Sequence, residues 1–435
     1  MNHHAHRQLL LGMASLFIVM AIGRFAYTPI LPFMQHAEHM SDQAAGLLAT
    51  INYLGYLIGA IIPMFFIFKS KVVDVKIYLI LNILSIILMG FTTNYILWSV
   101  LRLIAGITSG TVFVLASNVV LEALRQAHKE GISGLLYSAV GLGLFSSSIY
   151  VFFFTDESTW QMTWIILGAF SLILGLLVIF FMKENPPVES HSNNNTESKT
   201  SHRLNPTFMR WFSIAYFCEG AGYIITGTFL VAIIKSIPAF SEYAALSWMF
   251  VGLGAIPSTV VWSMIAEKLD YSKATYMAFG LQIISVCLPV ISHDIVSLII
   301  SSLLFGSTFL GLTTLFMSKG QMLMFQTGSK SNFIATLTVI YSIGQMIAPF
   351  VSGYLIGESG NYNSALLFAT VILIIGLVSS WISYRALQKE KKNGLKFVFM
   401  IRGNGFSNKG GIHYAFCRRQ NDERFRRKTF TCRRR

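Results

Sequence analysis

Long apolar runs separated by short polar breaks dominate the chain. About 20 apolar residues are needed to cross the ~30 Å hydrocarbon core of a bilayer as a helix. On that scale the pattern predicts helices near 9–34, 43–68, 77–94, 97–122, 131–155 and 161–182. A second set follows near 208–234, 243–267, 274–293, 295–318, 331–357 and 363–387. One polar break is far longer than the rest: "KENPPVESHSNNNTESKTSHRLNP", residues 183–206, is rich in Pro, Ser and Asn and has no apolar periodicity. The expected organisation is therefore an N-terminal six-helix half (1–182), a linker (183–207), a C-terminal six-helix half (208–390) and a tail (391–435). The fold class is an all-α polytopic membrane protein with twelve transmembrane helices.

Composition agrees. The 435 residues are 54% hydrophobic and 12% charged, with a mean hydropathy of +0.60; a soluble chain carries about 25% charged residues. The net charge of +14 raises the question of nucleic-acid binding. Its location answers it: residues 392–435 hold 13 Lys/Arg against Asp422 and Glu423, which leaves only +3 for residues 1–391. No nucleic-acid partner is expected. The tail has no helical periodicity and reads as a frameshifted or read-through end, with binding to anionic lipid as the functional alternative. Of the four cysteines, Cys218 and Cys287 fall in apolar spans and Cys417 and Cys432 in the tail, a spacing that matches neither a disulfide framework nor a zinc site. The apolar N-terminus lacks an A-x-A-like cleavage site, so an uncleaved first span is expected.

Loop charges alternate. One side holds Arg7; Lys69, Lys71 and Lys76; Arg125 and Lys129; the linker cations; Lys268 and Lys273; Lys319 and Lys330; and the cluster from Arg385. The other side has Lys235 alone. By the positive-inside rule both termini and the linker face the cytoplasm, in a protein of the cytoplasmic membrane. The sequon at Asn194 then lies inside and is not a glycosylation site. The halves also echo each other. A shift of 199 residues pairs Gly23 with Gly222, Leu31 with Leu230 and Gly55 with Gly254; a shift of 204 pairs Tyr137-Ser138 with Tyr341-Ser342 and Tyr150 with Tyr354. Duplicated halves are the arrangement of a transporter that rocks around a central site.

With these features the chain resembles a major facilitator superfamily transporter over roughly residues 5–390. "RLIAGITSG", with Arg102, Gly106 and Gly110, fits that family's R-x-x-x-G pattern in the fourth span. "GRFAYTPILPFM", "INYLGYLIGA" and "EGAGYIITGTFL" resemble the YbfB/YjiJ-type bacterial branch. The resemblance implies a central cavity lined by spans one, four, seven and ten. There are departures: "FFIFKSKVVDVK" represents the expected loop motif after span two poorly, whereas "SMIAEKLDYSK" after span eight comes closer. "GLLYSAVGLGLFSSS" lacks the proline that marks drug/proton antiporters, which weakens a drug-efflux reading.

Charges inside the spans are few: Arg24, Arg102 and Glu219. A charge at mid-bilayer costs about 2.5–3.5 kcal/mol on insertion scales, and such residues are functional candidates by default. Arg24 and Glu219 fall at similar depth, so Arg24 is expected to face a polar cavity, partnered by Glu219 or by a bound anion. Arginine's fork binds carboxylate or phosphate in a bidentate manner and does not deprotonate. Two arginines against one glutamate leave the cavity positive. The expected cargo is therefore a small organic anion or zwitterion, with Glu219 as the proton-coupling group and Asn52, Tyr53, Tyr341 and Gln345 as polar companions, together with Asn118 and Tyr216. The bland alternatives are a permanent Arg24–Glu219 bridge and an Arg102 that clamps span four to carbonyls. No catalytic constellation, cofactor motif or metal-ligand spacing occurs; His36, Glu38 and His39 form a loop cluster expected to be solvated. The reading is a monomeric secondary transporter and not an enzyme. Multidrug efflux is the alternative within transport, and a membrane sensor or receptor the alternative outside it.

Overall fold

The structure is a computed structural model that describes residues 2–129, 132–185, 205–327, 333–357 and 361–404. Most of the linker (186–204), with the Asn194 sequon, and the tail from 405 lie outside the described residues. The first span is built of α1 (Asn2–Leu16), a π-helix (Phe17–Phe25) and α2 (Tyr27–Ala37). The N-terminal half continues with α3 (Asp42–Phe65), α4 (Lys71–Met89), α5 (Tyr95–Gln126), α6 (Gly134–Phe154) and α7 (Trp160–Phe181). The C-terminal half holds α8 (Pro206–Lys235), α9 (Ala244–Leu269), α10 (Tyr271–Ile291), α11 (Ile295–Thr327), α12 (Phe333–Ile356) and α13 (Tyr362–Asn404). Twelve spans long and apolar enough to cross a membrane result, as the hydrophobic pattern predicts. The described residues contain no strand.

Short polar residues start the helices by accepting the first orphan amide hydrogens. Ser41 accepts from Ala44 N, Ser70 from Val73 N, and Asn94 from Ile96 N and Leu97 N. Asn205 does the same for α8, with Pro206 set at the first helical position. Once inside a bilayer, a backbone has no water to bond, which is why every span closes its own ladder.

Residues Met1–Leu387 form one compact unit, so the two six-helix halves pack as a single body; Gln388–Arg435 forms a second unit. The halves repeat each other's packing: α3 on α5 and α4 on α5 in the first, α9 on α11 and α10 on α11 in the second. Glycine makes the closest approaches possible. A Cβ at Gly55 would lie 2.4 Å from the Leu103 carbonyl oxygen, and one at Gly254 would lie 2.4 Å from that of Leu303. The sequence echo between Gly55 and Gly254 is thus a repeated backbone contact. Between the halves, α3 packs on α12, α6 on α9 and α2 on α8. The Tyr362 hydroxyl donates to Asp42 at 3.1 Å, and that of Thr28 to the Gly227 carbonyl.

Burial separates central from peripheral helices. In its most apolar stretch α8 is 94% buried and the first span 78%, whereas α7 is 33% buried. Ile173 and Phe180 of α7 are 63% and 69% exposed, as suits side chains that face acyl chains. The two most enclosed spans are those that carry Arg24 and Glu219. Outside the spans, Asp270 sits between α9 and α10. Burial works to raise its carboxyl, but the hydrogen bonds from Ser272, the Lys319 charge and the Tyr271 amide prevail and hold it below the ordinary carboxylate range.

Candidate functional site

The first span is broken where its charge sits. Pro29 and Pro32 lie in "AYTPILPFM"; a proline ring crowds the carbonyl four residues earlier and supplies no amide hydrogen. The helix widens into the π-register over Phe17–Phe25 just before them. Neighbouring helices take up the carbonyls of this stretch. The Ser109 hydroxyl lies 2.8 Å from Val19 O. Arg102 donates through Nη1 to Gly23 O at 3.2 Å and through Nη2 to Arg24 O at 3.4 Å. A Cβ at Gly23 would lie 2.7 Å from Asn82 Oδ1, so the glycine leaves room for that side chain.

Arg102 is therefore a clamp. Its guanidinium lies 4.5 Å from the centre of the Tyr27 ring, and Asn52 Nδ2 donates to the Arg102 carbonyl at 2.8 Å. The fork expected to grip cargo is committed to main-chain oxygens of the first span in this conformation. The reason is local: a helix broken by prolines exposes carbonyls, and a fully buried guanidinium is the nearest strong donor.

Arg24, 2% exposed, stands in an aromatic cage. Its guanidinium carbon is 4.2 Å from the Tyr56 ring centre, 4.7 Å from Tyr53 and 5.1 Å from Phe25. Cation–π contacts of this kind contribute about 0.5–2 kcal/mol each as they lose solvent. Three of them offset an insertion cost of about 2.5–3.5 kcal/mol, so Arg24 is held as a cation with no carboxylate beside it. Its Nε and Nη2 find no acceptor among the described residues.

Glu219, in the most buried helix, has no exposure at all. Neither carboxylate oxygen reaches a hydrogen-bond partner among the described residues. The Tyr341 side chain approaches it, and Tyr216 and Tyr223 lie within its field. These tyrosines belong to a column of rings. Phe316 and Tyr216 have centroids 4.9 Å apart, Tyr216 and Tyr341 4.4 Å, Tyr341 and Tyr223 6.0 Å, and Tyr223 and Phe309 5.5 Å. Gln345 donates through Nε2 to the Tyr223 oxygen, while its Oε1 has no partner. The Tyr341 hydroxyl lies 3.2 Å from that of Thr313. Tyr53 reaches toward the second half as well, its hydroxyl 3.5 Å from that of Thr228.

Of the residues expected from sequence, Arg24, Tyr53, Glu219, Tyr341 and Gln345 gather around one tyrosine cluster where the first span meets α8, α11 and α12. Arg102 and Asn52 stand behind it and hold the first span. The Arg24–Glu219 bridge is not made: the ion pairs among the described residues are His36–Glu157 at 2.9 Å and Lys71–Glu122 at 3.2 Å. Tyr223 and Tyr341 lie near both charges instead. Asn118 is exposed, away from this cluster's buried interior. Sequence reading missed Tyr56 and Tyr223. The signal for Tyr223 was its place one helical turn beyond Glu219, on the same face.

A family profile described as "Uncharacterised MFS-type transporter YbfB" matches residues 16–380. The chain belongs to this family of the major facilitator superfamily. Among curated relatives, "Probable sulfoacetate transporter SauU" of Cupriavidus necator is 22% identical over 404 residues, covering 86% of this chain and 93% of that protein. Solved structures share the fold. Nucleoside transporter NupG superposes with a TM-score of 0.67 at 13% identity, over 87% of this chain and all of NupG. A bacterial homolog of the human lysosomal transporter Spinster, inward-facing and unoccupied, superposes with 0.64 at 14% identity, over 88% of this chain and 97% of the homolog. This MFS transporter is a multi-pass membrane protein whose relatives are transporters, and its Arg24 and Glu219 are buried in its two most enclosed spans.

Proposed function

We propose that the protein is a proton-coupled secondary transporter that carries a small organic anion or zwitterion across the cytoplasmic membrane by alternating access. The observation that carries this reading is the pairing of two unsatisfied buried groups at one aromatic cluster: Arg24 with free donors, and Glu219 with free acceptors. Buried polar groups are almost always hydrogen-bonded, so two charged groups left without partners at one aromatic cluster favour a place where something else binds. An anionic head on Arg24 gains charge-assisted hydrogen bonds, each about 1.5–3 kcal/mol. An ammonium or hydroxyl of the same cargo has acceptors in Glu219 and in Gln345 Oε1. The tyrosine faces wall the site and favour a small, planar or short-chain solute. Glu219 alone among the span acids lies in this cluster, which makes it the proton carrier. Sulfoacetate, the substrate in SauU's name, is a small dianion of the proposed class.

The test is flux. In proteoliposomes, a panel of sulfoacetate, malonate, succinate and β-alanine should include a solute that the protein moves and that protein-free vesicles do not. Transport of the lipophilic cation tetraphenylphosphonium, with no panel member moved, would replace this reading with drug efflux.

Orientation follows from the loop charges: both termini and the linker face the cytoplasm. Single cysteines placed at Ser158 and at Ser192 in a cysteine-free background should then react differently with an impermeant thiol reagent on whole cells. Labelling is expected at position 158 only; labelling at 192 and not at 158 would reverse the topology.

A further inference from the structure

We propose that the protein has a second binding site, at the end of the bundle opposite the linker, which takes a small zwitterion between Lys235 and Glu242. The site goes beyond the transport reading and rests on it only in lying on the cargo's route.

A cavity of about 300 Å³ opens at that end, within the ~300–1,000 Å³ of small-molecule sites. Both halves wall it. Phe33 of α2 and Phe152 and Thr155 at the end of α6 come from one half; Lys235, Ser241 and Glu242 come from the other. Lys235 closes α8, and Ser241 and Glu242 sit on the 3-10 turn Pro238–Tyr243. The Lys235 ammonium lies 4.0 Å from the centre of the Phe33 ring, which holds it against the cavity wall.

Opposite charges that line one small cavity are well placed to pair with each other. These two do not: neither Lys235 nor Glu242 has an ion-pair partner among the described residues. Glu157, the other acid close to Lys235, is engaged by His36 at 2.9 Å. A free cation and a free anion in one cavity choose their ligand by charge. A dianion gains Lys235 but meets the Glu242 carboxylate, and an organic cation gains Glu242 but meets Lys235. A zwitterion satisfies both, its carboxylate on the lysine and its ammonium on the glutamate.

Position gives the site its use. Lys235 lies twelve residues beyond Tyr223 on α8, about 18 Å at 1.5 Å per residue. Between these levels the Thr28 hydroxyl bonds the Gly227 carbonyl and closes the first span on α8. A solute in the cavity therefore waits outside the seam that must part before Arg24 is reached.

A lysine at a helix C-terminus also offsets the helix dipole, so the test must read occupancy. Thiol protection does so. Ser241→Cys in a cysteine-free background, purified and exposed to a thiol reagent, should react several-fold more slowly when β-alanine is present. Ser292→Cys, in the loop between α10 and α11 and outside the cavity lining, should not be slowed. Lys235→Gln and Glu242→Gln should each raise the half-protecting concentration of β-alanine about ten-fold, the worth of one hydrogen bond to a charged group. Succinate should protect poorly, and better once Glu242→Gln removes the repulsion. The proposal is overturned if β-alanine gives no protection, if both substitutions leave its protection unchanged, or if succinate protects the parent equally well. Flux of a panel solute without protection removes this site and leaves the central one; protection without flux does the reverse.

Discussion

Glu219→Gln should abolish accumulation driven by a pH gradient while solute exchange continues. Glutamine keeps the size and planarity of the side chain but holds no titratable proton. A charge at mid-bilayer costs about 2.5–3.5 kcal/mol, and Glu219 is fully buried with neither oxygen paired. The carboxyl is therefore buried most cheaply as the acid, and delivers its proton where the site opens to water. The parent protein should load faster as the pH on the loading side falls, because acid fills Glu219. The variant should be indifferent to that pH, and its accumulation ratio for an uncharged or electrically clamped solute should collapse to about one, the value at which flux is passive. Folding should not suffer, since glutamine matches the side chain's shape and breaks no ion pair: Glu219 is in none among the described residues. Unchanged gradient dependence in a well-folded variant would remove Glu219 from the mechanism.

Periodicity and length carried most of the fold. Twelve apolar runs at bilayer scale became twelve spans because a helix in lipid must close its own hydrogen bonds, a requirement that leaves little to tertiary context. The repeat was legible at Gly55 and Gly254 because close backbone approach leaves glycine as the fitting residue. The first span shows where local reading stops. A continuous helix was expected over 9–34, yet Phe17–Phe25 is in the π-register. Pro29 and Pro32 mark a break, but its form depends on bonds from Ser109 and Arg102, three spans further along the chain. For Arg102 the depth was visible in sequence and a carbonyl clamp stood as the alternative, but which carbonyls it meets, those of Gly23 and Arg24, is a tertiary fact. Arg24 and Glu219 were legible because intramembrane charges are rare. Tyr56 and Tyr223 were not, since seventeen tyrosines occur in this chain and their convergence on one cation is a tertiary fact.

Arg24 carries the second large effect. Arg24→Ala should weaken anion binding at least about a hundred-fold, the loss of two charge-assisted hydrogen bonds at about 1.5 kcal/mol or more each. Arg24→Lys should lose about ten-fold: it keeps the charge but not the planar fork, and a compact ammonium places one donor where Nε and Nη2 placed two. Neither change breaks an ion pair, because Arg24 has none among the described residues, and the tyrosine and phenylalanine cage remains. The cage without its cation would then offer aromatic faces to a different guest. Arg24→Ala should gain affinity for an organic cation as it loses affinity for anions, since the rings that held the guanidinium attract any cation of similar size.

Titration calorimetry of the purified protein tests the central claim most directly, with succinate, β-alanine and malonate as anionic or zwitterionic probes and tetraphenylphosphonium as the cationic one. The expected result is binding of at least one anionic or zwitterionic probe to the parent protein, its loss in Arg24→Ala, and no binding of the cation to the parent. A parent protein that binds tetraphenylphosphonium, refuses all three of the others, and is unaffected in this by Arg24→Ala would contradict the assignment of Arg24 as an anion receptor.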